Sequence, residues 1–209
     1  MSLKNGKVKF LVILPFAILT ACHCDKQEVI YSAGSQMYDY VFRDSSVWIY
    51  RNISTNVEDT VTLFRLDRTF FGLDTSDKCI DLKKEVFYLN QKSSYTPDKE
   101  FYFFIDKNGI RLNGDGDFPL MGQQLQNIAT DITDSSTGAV YIQTLPFLIV
   151  EGHYTYNVKK VVILDKSDMY PSGTYLYWSP DIGIVRKEIY DTVVGVQTWD
   201  LKYSKLNYY

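Results

Sequence analysis

The chain has 209 residues, 22 basic against 25 acidic side chains and two histidines; 45 % of it is hydrophobic, 15 % is aromatic, and there are 17 tyrosines. The slightly acidic balance argues against nucleic acid as a partner, and the length gives one ordinary domain able to bury a core unaided. This aromatic content suits an extracytoplasmic sheet protein better than a helical one.

At the N-terminus, Lys4, Lys7 and Lys9 precede an apolar run from Phe10 to Ala21 in which only Thr20 is polar. A bilayer span needs roughly 20 apolar residues, and Pro15 removes a backbone donor from this shorter run. Residues 1–21 therefore read as a secretory signal segment. Their removal leaves 19 basic and 25 acidic residues, a formal charge of −6.

Leu19-Thr20-Ala21-Cys22 closes that run and resembles the lipobox of bacterial lipoproteins. The resemblance implies cleavage before Cys22, a diacylglycerol on its sulfur and an acylated amine of the palmitate type. At about 0.8 kcal/mol per buried methylene, two or three acyl chains hold a protein lastingly on a membrane it does not span. His23 stands where enteric retention signals have aspartate, which implies the outer membrane, on either face. Asp25, Gln27 and Glu28 are similar in part to the surface-export signal of Bacteroidota lipoproteins. With Cys22 lipidated, Cys24 and Cys79 remain as a pair in an oxidising compartment. A disulfide between them would stabilise by roughly 4 kcal/mol. Two free thiols are the favoured expectation, because Cys24 lies on the tether with no evident reason to approach Cys79.

Past a tether and N-terminal segment over residues 22–40, residues 41–209 read as an antiparallel β domain. Runs rich in Val, Ile, Thr, Tyr, Phe and Trp recur every ten to fifteen positions between turn residues. The predicted strands are VWIYRNI from Val47, DTVTLFRL from Asp59, EVFYLNQ from Glu85, EFYFFID from Glu100, GIRLN from Gly109, AVYIQTLPFLIV from Ala139, HYTYNVKKVVIL from His153, GTYLYWS from Gly173, GIVRKEIY from Gly183 and VGVQTWDLKYS from Val194. Asp106–Gly109 and Glu151-Gly152 carry the residues that tight hairpins demand. Short helices are expected over residues 27–38 and 120–129, with a further turn at 166–170. The order implies a single meander curling into a barrel or half-barrel.

Strand faces add to this. Trp199, Leu201 and Tyr203 share one face of a half-solvated strand. EFYFFID and GTYLYWS carry apolar side chains on both faces, so each needs two covers: a second layer, or a ligand in a concave sheet.

Little points to catalysis. His153, beside a Glu-Gly turn, is the one histidine of the predicted domain; with neither a second histidine nor a cysteine cluster beside it, no zinc site assembles. No Gly-x-Ser-x-Gly elbow and no cofactor motif occurs. Asn113, Asp115 and Asp117 alternate with glycines like the first half of a calcium loop, but lack a closing glutamate, and a polar turn explains them as well. Asn52-Ile53-Ser54 matches a eukaryotic glycosylation sequon, and Asp59-Thr60-Val61 and Asp191-Thr192-Val193 match a short modification motif of Bacteroidota. All three are chance-level patterns.

Finally, GTYLYWSPDIGIVRKEIYD, Gly173–Asp191, is similar to a segment of uncharacterised secreted and lipidated Bacteroidota proteins, with Pro180 and Gly183 fixing a turn. Some relatives of that group resemble the LolA and LolB half-barrel carriers, where a curved sheet cups an acyl chain. The resemblance implies a membrane-anchored, non-enzymatic binding or carrier module for an apolar or amphipathic ligand. The alternative is a structural or protein-interaction lipoprotein of the outer membrane with no small-molecule ligand. A hydrolase with two carboxylates in the concavity stands third.

Overall fold

The computed structural model describes residues 25–98, 100–106, 109–113, 123–126, 139–163 and 170–209. Among them, twelve strands form one sheet: β1 Gln27–Tyr31, β2 Val47–Asn52, β3 Glu58–Leu73, β4 Ile80–Ser93, β5 Glu100–Asp106, β6 Gly109–Asn113, β7 Gln123–Gln126, β8 Ala139–Val150, β9 His153–Ile163, β10 Tyr175–Ser179, β11 Gly183–Asp191 and β12 Gly195–Lys205. One helical turn, α1 Ser35–Tyr38, precedes β2. The order is β7-β6-β5-β4-β3-β2-β12-β11-β10-β9-β8, with β1 beside β4. Two antiparallel meanders thus run outward from a junction of β2 and β12. The sheet curls until β7 and β8 lie against each other without a ladder between them, an open half-barrel.

The strand predictions hold closely, and the turns explain why. Glu151 and Gly152 both take positive φ, 50° and 79°, matching the twist of β8 and β9. Gly183 has φ 88°, and a Cβ there would sit 3.4 Å from Phe42 Cε2, so both conformation and space favour glycine.

The helix expected over residues 27–38 is found only at its end, as the turn Ser35–Tyr38, and is corrected before that. Gln27–Tyr31 is a strand, running parallel to β4 from Gln27↔Ile80 to Tyr31↔Lys84. Val29, Ile30 and Tyr31 suit a strand, and β4 extends beyond the start of its β5 pairing at Phe87, leaving an edge for them to fill. The helix expected over 120–129 is replaced in its described part by β7, paired to β6. Of residues 166–170 only Tyr170 is described, and it is not helical. The fold also reaches back past residue 41, since Ala33, Met37 and Tyr40 are buried in the main core.

That core fills the interior face of the curl. Trp48, Tyr50, Leu63, Phe87, Phe103, Ile105, Leu176, Trp178 and Trp199 meet there. Trp48 Nε1 donates to Ile182 O at 2.7 Å and Tyr50 Oη to Ile184 O at 2.9 Å, tying β2 to β11 across β12. The N-terminal segment closes over these rings, clamped by Glu85. This fully buried carboxylate accepts from Ala33 N at 3.0 Å, Tyr38 Oη at 2.8 Å and Arg68 Nε at 2.7 Å.

The outer face has its own cover. Opposite Pro146, which lacks an N–H, Asn157 turns left-handed (φ 54°), interrupting the β8–β9 ladder between Leu145↔Val158 and Phe147↔Tyr156. The hairpin arm beyond this break packs Leu148 and Val150, with Val158 at its base, against Tyr177, Val185 and Ile182. Glu151 at its tip pairs with Arg51, and Arg186 Nη2 donates to Ile149 O at 3.2 Å.

Burial pushes the Glu85 carboxyl up, but the Ala33 amide, the Tyr38 hydroxyl and Arg68 outweigh it and hold it below the ordinary glutamate value. A depressed folded-state value contributes stability that is fully present above the unfolded value, about 4.3, and is lost as pH falls through the folded one. Urea titrations should show this acid-side loss. A Glu85→Ala variant should lose about 3 kcal/mol at neutral pH by stranding the Ala33 amide and Tyr38 hydroxyl; an unchanged midpoint would remove the clamp from the account.

Candidate functional site

The most concentrated polar chemistry lies inside the curl, where β2, β3, β4, β11 and β12 converge. Asp59 shares the apolar side of β3 with Val61 and Leu63; Lys187 stands between Leu176 and Trp199 in adjoining ladders. Both are buried. Lys187 Nζ lies 3.2 Å from Asp59 Oδ2, 3.8 Å from the centre of the Tyr50 ring and 5.8 Å from that of Trp199. Aromatic faces thus supply much of what water would give the ammonium. Asp59 Oδ1 accepts from Ser93 Oγ at 2.6 Å, Ser94 Oγ at 3.3 Å and Tyr95 N at 3.2 Å, and the Tyr95 ring stands edge-on to Trp199 at 5.2 Å.

The electrostatics agree with this wiring. Burial pushes Asp59 up, but Lys187 and the Ser93 and Tyr95 donors outweigh it and hold the carboxyl below its usual value. Burial pulls Lys187 down, opposed by Asp59. The Tyr50 and Tyr170 phenols are driven up, first by burial and then by neighbouring charge, Asp59 included. The Asp59–Lys187 pair and its hydrogen bonds thus fix β3, β4 and β11 to one another.

Beside this cluster lies a cavity of about 20 Å³ bordered by Tyr40, Phe42, Trp48, Tyr50, Gln91 and Trp178, among others. That is room for one water. A broader hollow of about 740 Å³, open to solvent, is lined by Arg43, Asp44, Leu66, Leu206, Asn207 and Tyr209. On the outer face, hydrogen-bonded neighbours place Lys160, Tyr177, Arg186, Asp200, Arg51 and Glu58 in one cross-strand row. Arg186 grips Asp200 through Nε and Nη2 at 2.5 and 2.7 Å.

The residues singled out from sequence fare differently. Cys22 and Cys24 lie outside the described residues, as do Asp115 and Asp117; Asn113 ends β6. Among the described residues no group of three or more His, Cys, Asp or Glu side chains is placed to hold a metal. His153 is exposed at the head of β9. Cys79, at the head of β4, is disulfide-bonded, which corrects the leaning toward a free thiol. The reason is visible in β1: Gln27 N donates to Cys79 O at 2.8 Å, so the N-terminal chain is held beside Cys79 rather than away from it. Asn52 is buried, and its Oδ1 caps the turn by accepting from Ser54 N at 2.9 Å and Thr55 N at 3.1 Å.

Asp59 and Lys187 escaped the sequence reading. Their signal was present: each alternates with aliphatic residues, Asp59 with Val61 and Leu63, Lys187 with Val185 and Ile189. Opposite charges on apolar faces point to a buried pair.

Comparison of the chain with protein-family models, with characterised proteins and with solved structures gives no match.

Removing one partner of a buried pair strands the other charge. Asp59→Leu or Lys187→Met alone should therefore cost about 3–5 kcal/mol, while the double variant Asp59→Leu/Lys187→Met should recover most of it. Chemical denaturation of the four proteins of the cycle checks this; equal losses in single and double variants would contradict it.

Proposed function

We propose that the chain is a lipid-anchored protein of the outer membrane, held through an acylated Cys22, and that its half-barrel is a non-enzymatic interaction module with no small-molecule ligand inside. The observation that carries this choice over the carrier reading is the filling of the interior. Small-molecule sites measure roughly 300–1,000 Å³, against about 20 Å³ for the interior cavity among the described residues; the hollow of about 740 Å³ is open to solvent. The space that an acyl chain would need is taken by Met37, Tyr40, Val41 and Phe42 of the same chain, packed onto the interior aromatic rings.

Charge pairing supports the non-enzymatic side of the reading. The four buried acids among the described residues each face a cation: Asp59 with Lys187, Glu85 with Arg68, Asp106 with Lys84 at 2.9 Å, and Asp200 with Arg186. Glycoside hydrolysis needs two carboxyl groups flanking a substrate, one of them protonated, and paired acids are poorly suited to that work. The carrier reading keeps one observation in its favour, since the small cavity is bordered mainly by apolar and aromatic side chains.

Native mass spectrometry of the full-length protein, extracted from membranes in mild detergent, separates the readings. The expected spectrum shows acyl mass covalently on Cys22 and no further non-covalent lipid, even after incubation with fatty acid or phospholipid. A stoichiometric non-covalent ligand would reinstate the carrier, and an unmodified Cys22 would remove the anchor.

A further inference from the structure

The arm formed by the ends of β8 and β9 has one side against the body of the protein and one side in water. Leu148 and Val150 face inward, the first half-buried and the second buried in the outer cluster. Register sets Phe147 opposite Tyr156 and Ile149 opposite Tyr154, and alternation turns all four away from the body. Their exposures agree: 50 % for Phe147, 48 % for Ile149, 60 % for Tyr154 and 63 % for Tyr156. The rings lie beside one another, Phe147 and Tyr154 with centres 5.6 Å apart, Tyr154 and Tyr156 with centres 6.4 Å apart and planes inclined by 20°. Within the arm no charged side chain shares this face. Glu151 turns to Arg51 at the tip, and His153, opposite Val150, belongs to the other side.

We propose that this face binds a second copy of the same chain, arm against arm across a two-fold axis; the proposal names a partner for the interaction module above and rests on that reading. Area is the first argument. At about 200 Å² for a side chain of this size, the exposed fractions leave roughly 450 Å² in water. A standard interface takes about 800 Å² from each partner, of which about 56–65 % is apolar. The four side chains therefore match the apolar share of one partner's half, and the surrounding arm supplies a rim.

Charge selects the occupant. In a two-fold contact the same patch meets itself, so every charge on it would approach its own like. This face carries none, and two copies close over it without stranding an ion. Homodimer interfaces are also more apolar than transient ones and enriched in aromatic residues, which is the composition here. The face is held ready as well: Glu151 pairs with Arg51, Arg186 Nη2 donates to Ile149 O at 3.2 Å, and Leu148 and Val150 are packed beneath. An arm already fixed in place loses little freedom on association.

The test reconstitutes equal amounts of unlabelled and isotope-labelled full-length protein in phosphatidylcholine vesicles and couples touching tyrosines by photo-oxidation. Peptides that join Tyr154 or Tyr156 of one copy to the same residues of another, recognised by their mixed isotope content, are the expected product. A Phe147→Glu/Ile149→Glu variant keeps both tyrosines but sets like charges against each other across the axis. Its yield of coupled product should fall by about tenfold or more, with circular dichroism checking that it is folded. Monomers alone would give the face to a different protein or to lipid and overturn the proposal, as would coupling through tyrosines elsewhere or a yield that the variant does not change. Native mass spectrometry of the same sample reads the interior separately: a stoichiometric bound lipid fails the module reading, a result distinct from missing cross-links.

Discussion

One sheet with apolar residues on both faces must find two covers from a single short chain, and the rest of the structure follows from that constraint. Sandwiches meet it with a second sheet and α/β folds with helices. Here the sheet curls upon itself, so that its interior aromatic residues face one another, and the remaining gap is closed by the segment Ala33–Phe42. On the outside, the interrupted β8–β9 hairpin folds down as an arm over β10 and β11. Both covers are short stretches of irregular or broken backbone, and each is fixed by charge. Glu85 holds the inner one through three donors, and Arg51 and Arg186 hold the outer one.

The same constraint accounts for the buried ionic groups. Curling brings the interior faces of β3 and β11 together, and Asp59 and Lys187 meet where both would otherwise be stranded. Such a pair adds little net stability over well-packed apolar residues, yet it penalises alternative registers, because slipping either strand by one residue would turn a charge to the other face and leave its partner alone. The outer cross-strand row extends that logic over six strands.

Much of this was legible in the sequence. The ten predicted strands from Val47 onward appear with boundaries shifted by few residues except in β3 and β4, whose extensions bear charged and aromatic residues without clean alternation. The segment before residue 41 was misread. QEVIYSAGSQMY has no strong period, and what makes Gln27–Tyr31 a strand is the unfilled edge of β4, a tertiary fact that local propensity does not contain. For the same reason the tether seemed remote from Cys79. The pairing of Asp59 with Lys187, 128 residues apart, depends on which strands close the curl. Each half was visible as a charge on an apolar face, but their meeting was not.

The account stands or falls on whether the half-barrel is filled by its own chain in solution. Native-state hydrogen exchange of the intact protein measures this at the amides of Met37–Phe42. If the segment is part of the core, those amides exchange only with global unfolding, at the same free energy as Phe87 and Leu89 in β4. Exchange of Met37–Phe42 through a separate low-energy opening, with β4 still protected, would show an interior that empties readily and would contradict the account.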